Sequence, residues 1–146
     1  MAWLDAGGCG DSDQTPQNGT FDLSSPAWTS TVSGTMLSAD GHVHDGGENV
    51  TIYQNGNVAC VSQHLYGRTS SYISPVMMDG TPGPMEAISD TSQCENFGTL
   101  EIGDILMLKA HYDTINHPID NDVNGPMDIM GISKVSDFER YLYIFS

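Results

Sequence analysis

The residues with chemistry to offer are few, and the tightest group is HVHDGGE at positions 42 to 48. His42 and His44 stand two apart, and on an extended chain such residues leave the same face. Two neutral imidazoles so placed can each bring a nitrogen to about 2.0 Å from one ion without distorting the backbone. Gly46 and Gly47 permit close approach or unusual dihedrals beside the pair. Asp45 and Glu48 are placed where carboxylates orient ligand rings. The bland alternative is an exposed turn with two polar side chains.

Which ion the pair would prefer depends on a distant ligand. The remaining histidines are His64, His111 and His117, the last opening a His-Pro pair ahead of Met127 and Met130. In one reading the pair is joined by a methionine thioether, and soft ligands of that kind select copper, Cu(I) above all. In a second, His42-x-His44-x-x-x-Glu48 combines with His111 into three histidines and a carboxylate, suited to other transition metals. Methionine is usually core filler, and the chain has eight. His111 could equally be a partly buried framework residue. A third reading needs no metal: His111, Tyr112 and Asp113 would supply titratable groups for acid–base or cyclisation chemistry in a pocket. Asp120 and Asp122 do not follow an EF-hand spacing, and they read as a solvated face.

These residues need a frame, and 146 residues is the size of one ordinary domain. With 38% hydrophobic residues and 16 glycines the core is thin and the loops numerous. Four basic against 19 acidic residues leave a formal charge of −15. That charge argues against nucleic acid or an anionic membrane as partner. No apolar run is long enough to span a bilayer. The opening MAWLDAGGCG has neither the basic start nor the apolar core of a signal peptide. Two sequons, at Asn18 and Asn49, would nevertheless accept glycans in a secretory compartment. We therefore read the chain as a mature fragment or as one domain of a longer secreted protein. Of Cys9, Cys60 and Cys94, one is left over after any pairing. Cys60 with Cys94 is the preferred disulfide, with Cys9 free to pair elsewhere.

The elements read as short strands. Residues 1–27 form an extended, turn-rich lead-in, with almost nothing to bury between 5 and 26. Residues 28–37 alternate weakly and read as a strand, and HVHDGG carries a short one that breaks at the glycines. VTIYQNGNVACV, residues 50–61, is the clearest hairpin, two β-prone runs around Asn55-Gly56. Residues 62–99 read as loops with brief strands, including Ile88-Ser89. Residues 101–113 form a strong strand, 116–126 a polar loop, and 127–135 a strand start. YLYIF at 141–145 closes a sheet or trails as a tail, and SDFERYLY is the only helix-like run. The expected architecture is one all-β antiparallel sandwich over 1–146, jelly-roll-like, with long Gly/Pro-rich loops.

The run from WLDAGGCG (3–10) through PAWTSTVSGTMLSADGHVHDGGENVTIYQNGNVAC (26–60) to DIMGI (128–132) resembles the C-terminal part of the stress-upregulated nodulin-like family of plants and fungi. ISDTSQC (88–94) and HYDTINHP (111–118) add to that resemblance, which covers about 130 residues. More distantly, the chain is similar to the second domain of peptidylglycine alpha-hydroxylating and dopamine beta-monooxygenases. There a His-x-His pair and a late Met hold the copper at which oxygen and substrate meet. Carried over, the pair falls on His42 and His44, and the Met on Met130, or on Met127 if the register slips. That resemblance implies a copper cofactor, a small-molecule substrate and a partner domain, N-terminal to this one, holding a second copper. A cupin-like likeness rests on Glu48 alone and is the weaker match. A copper-locked structural module without turnover is the remaining alternative.

Overall fold

A computed structural model describes residues 1–6, 18–76, 82–119, 121–122, 125–126 and 129–139. In chain order the strands are β1 (Ala2–Ala6), β2 (Thr20–Ser24), β3 (Trp28–Thr29), β4 (Gly34–His42), β5 (Gly47–Gln54) and β6 (Asn57–Tyr66). There follow β7 (Ile73–Val76), β8 (Pro82–Glu86), β9 (Ile88–Thr91), β10 (Gln93–Leu100) and β11 (Ile105–Asp113). Last come β12 (Asn121–Asp122), β13 (Gly125–Pro126) and β14 (Gly131–Glu139). One sheet runs β1-β14-β4-β10 and the other β2-β11-β5-β6-β9, with β3 beside β11. All pairings are antiparallel. The two sheets pack on each other as a sandwich, and neither closes on itself among the described residues.

Period-two alternation drives this packing, because each strand can offer only one face to the core. On β11, Leu106, Leu108, Ala110 and Tyr112 are fully buried, and on the neighbouring β5 Val50 and Ile52 lie beside them on the same face. The Asn55-Gly56 turn takes positive φ at both residues, 51° and 79°, as its type requires. The hairpin is longer than its clearest sequence signal, reaching from Gly47 to Tyr66. The Cys60–Cys94 disulfide joins β6 to β10, one strand from each sheet. Closing a loop across a separation of 34 residues stabilises the fold by about 4 kcal/mol on loop-entropy grounds.

Five expectations are revised. The lead-in contributes two strands: Ala2, Leu4 and Ala6 bury one face of β1, and Phe21 and Leu23 pack against the core from β2. Residues 62–99 hold β10, a full strand of the first sheet whose side chains are mostly exposed and whose register shifts between Glu95 and Gly98. That shift breaks the alternation that would have revealed it. The helix-like run starting at Ser136 is strand through Glu139, paired to β4. Of the strand expected from 127, Ile129 and Met130 are not in the strand, which is described from Gly131, and the polar loop carries the short β12–β13 ladder. Cys9, Asp120, Met127 and YLYIF lie outside the described residues. Among the described residues no helix is long and apolar enough to cross a membrane.

Candidate metal centre

β4 brings His42 to the end of the first sheet, where it pairs with Ile132 of β14. Val43 is buried in the core, which turns its two neighbours away from it. His42 is exposed and His44 half-buried, with ring centroids 5.5 Å apart and planes at 86°. Two imidazoles that each place a nitrogen about 2 Å from one ion have centroids on the order of 5–6 Å apart. The pair therefore fits a shared ion. β10 makes its last pairing with β4 at Asp40, so His42 and His44 stand beyond that strand's cover. They open onto a depression of about 340 Å³ lined also by Val43, Asp45, His64, Ile88 and Thr91.

The methionine approaches from the neighbouring strand. His44 lies two residues after His42 and Met130 two residues before Ile132, so in the antiparallel register both extend toward the same end of the sheet. Ile129 is in the core, and Gly131 lies so close to β11 that a Cβ there would fall 2.3 Å from the Ala110 Cβ. Both flanking residues thus face inward, and alternation sends Met130 to the side that carries His42. Met130 is 5% exposed yet is not among the side chains of the core cluster. The Tyr112 hydroxyl donates to the Met130 carbonyl at 2.6 Å and accepts the Met130 N–H at 3.0 Å.

The glycines serve the turn that ends the motif. Gly46 has φ +97°, and a Cβ on Gly47 would fall 2.3 Å from Val43 Cγ2. Tyr66 accepts the Gly46 N–H and donates to the Gly47 carbonyl, both at 2.9 Å, while its ring stacks on His117 at 3.7 Å. Burial pushes the Tyr66 phenol well above its ordinary pKa, so it stays protonated as that donor.

Burial disfavours the protonated form of two rings here, His42 and His64. Partial burial lowers the His42 pKa and the neighbouring His44 lowers it further, with Asp40 opposing. His64 is lowered chiefly by burial; its Nε2 lies 3.1 Å from the Gly41 carbonyl and its buried Nδ1 has no hydrogen-bond partner. A neutral ring is the form that ligates metal. Two imidazoles and a thioether make a soft donor set that fits copper.

The other sequence candidates disperse. Asp45 Oδ1 accepts the Ile88 N–H at 2.9 Å, fixing the wall of the depression. Glu48 Oε2 lies 3.8 Å from His111 Nε2, and His111 Nδ1 contacts Asp22 at 2.7 Å. Among the described residues no three His, Cys, Asp or Glu side chains converge as metal ligands. The cupin-like set of His42, His44, His111 and Glu48 therefore does not assemble: β11 carries His111 on the outward face of the second sheet. His111, Tyr112 and Asp113 do not meet in one pocket either. Tyr112 is fully buried, and burial pushes its phenol up to about 12. Asp113 caps the following turn, accepting the Ile115 and Asn116 N–H groups and the Asn116 amide. Asn18 is exposed, whereas Asn49 is half-buried and its Oδ1 accepts the Thr51 hydroxyl at 3.2 Å.

Over 133 residues, 90% of its length, the chain is 30% identical to "Probable copper-dependent oxygenase clz3" of Cochliobolus lunatus. Over the same length it is 29% identical to "Probable copper-dependent oxygenase M1" of a Phoma species. The matches span 40% and 32% of those relatives, so the chain corresponds to well under half of each. The chain is homologous to part of these fungal proteins. No protein-family model matches it, and no solved structure matches it.

Sequence reasoning passed over three residues of this region. His64 was assigned no place, although its parity with Cys60 and Ser62 on β6 puts it on the buried face. Tyr66 and the framing role of Tyr112 had no signal, because their partners are backbone groups brought near only by folding.

Proposed function

We propose that this chain is a secreted copper-binding domain, a jelly-roll-like sandwich resembling the substrate-side copper domain of copper monooxygenases. His42, His44 and Met130 are its ligands. The observation that carries the reading is the register of β4 and β14, which sets a His-x-His pair and a methionine of matching parity at adjacent strand ends. The kinship with proteins named as probable copper-dependent oxygenases supports the choice of metal. The nodulin-like resemblance agrees with it. The disulfide and the exposed Asn18 sequon suit an oxidising, secretory setting.

Copper held there would supply one-electron chemistry with dioxygen. The chain's own residues do the rest. Val43 and Ile129, anchored in the core, aim the ligands outward. Asp45 holds the Ile88 wall, and the depression beside the rings takes a small-molecule substrate. A second reading, a copper-locked module without turnover, is favoured by the absence of any three-histidine centre among the described residues. Titration of the purified chain with Cu(I) against a competing chelator tests the first: one equivalent binds, and Met130→Ala weakens it about tenfold or more. Unchanged affinity in that variant removes the methionine. Oxygen uptake with a reductant separates the two readings, since the structural module consumes none.

A further inference from the structure

The β4–β14 ladder ends at His42–Ile132, because beyond His44 the chain of β4 turns away through Gly46 and Gly47. The two proposed ligands that follow, His44 and Met130, lie beyond that last pairing. Tyr112 contacts the backbone of both. Its ring is fixed by complete burial and by stacking on Phe21, centroids 5.2 Å apart and planes 3° from parallel. Its hydroxyl takes both backbone groups of Met130, at 2.6 Å and 3.0 Å. The His44 backbone hydrogen-bonds the same oxygen. The single hydroxyl hydrogen already goes to the Met130 carbonyl, so the His44 N–H is the donor. One donated and two accepted bonds use the full capacity of a phenol.

We infer that Tyr112 is a positioning residue for the metal centre: beyond the last pairing of the ladder, its hydroxyl ties the two segments together and fixes the separation of His44 from Met130. The inference rests on the copper reading above. A hydroxyl serving only core stability would find any available backbone partner. This one bonds the two segments that must be held at a set distance for imidazole and thioether to share an ion. Holding ligands in place before the ion arrives is what gives a site its affinity and coordination number.

The test compares wild type, Tyr112→Phe and Phe21→Leu. Phe21→Leu loosens the same ring but leaves the hydroxyl. Each is loaded anaerobically with Cu(I), examined by X-ray absorption for a sulfur neighbour, and titrated against a chelator; metal-free forms are melted. Wild type shows sulfur at copper. Tyr112→Phe loses the sulfur signal and binds about tenfold more weakly, while Phe21→Leu keeps both despite a lower melting temperature. Sulfur and affinity retained in Tyr112→Phe, or lost equally in Phe21→Leu, overturn the inference. Sulfur absent from wild type overturns the copper–thioether reading instead. The tie is then judged by amide exchange in the metal-free wild type, which also decides if Tyr112→Phe does not fold. The His44 and Met130 amides exchange slowly there, and exchange at the rate of open loops overturns the tie.

Discussion

His42 and His111 occupy strands of different sheets and meet opposite surroundings. Around His111 both ring nitrogens face carboxylates, Asp22 at 2.7 Å and Glu48 at 3.8 Å, and Lys109 lies 3.2 Å from the same Asp22. The Asp22 carboxyl is held below its ordinary pKa first by the His111 hydrogen bond and then by Lys109. This is an ion-pair network on a half-exposed sheet face. At the end of β4 burial is the first cause disfavouring the His42 proton, the neighbouring His44 adds to it, and Asp40 opposes both. Histidine alone therefore does not mark a metal site; what its ring nitrogens already contact decides whether they are left available to an ion.

The largest effect that would break this comparison is on copper. His42→Ala is expected to weaken Cu(I) binding by about 100-fold or more, whereas His111→Ala leaves it unchanged in the same competition titration. Equal losses in the two variants would merge the regions.

Acid separates them next. His42 and His64 have folded pKa values below the ordinary 6.5. As pH falls below 6.5 the unfolded chain takes up protons that the folded chain refuses. Stability present above that pH is progressively lost down to the depressed folded values. Melting temperature should fall over this window, and His64→Gln should flatten the fall. Asp22 acts in a lower window. Its folded pKa is depressed, so its contribution is present above its ordinary 3.8 and is lost as pH drops through the folded value.

The smallest effect is the ion pair itself. Asp22 is about two-fifths exposed, so screening leaves Asp22→Asn a cost of about 0.5 kcal/mol or less by denaturant unfolding. A cost above 2 kcal/mol, on the order of a buried pair, would show the outer cluster to be structural in a way its exposure does not suggest.

Much of the frame was legible in the chain. Asn55-Gly56 between two β-prone runs announced β5 and β6, and the alternation of Leu106, Leu108 and Ala110 announced β11. The His-x-His pair announced its shared face, since parity is a local property. β10 was not legible: its polar, mostly exposed side chains and its bulge leave no alternation to read. Nor was β1, where alanines at 2 and 6 give a weak apolar signal that only the neighbouring β14 makes meaningful.

The sequence by itself determined an all-β chain, a hairpin with a left-handed turn, and two imidazoles able to meet one ion. All of these follow from spacing along the backbone and the period of two. Tertiary structure alone decided which distant groups join them. It put Met130 beside His44 through the β4–β14 register, set Tyr112 between them, and carried Glu48 and His111 to another face. Those separations, 18 residues from Tyr112 to Met130 and 86 from His44 to Met130, close only when two sheets bury their inner faces against each other. No local pattern encodes which strand end will then lie beside which.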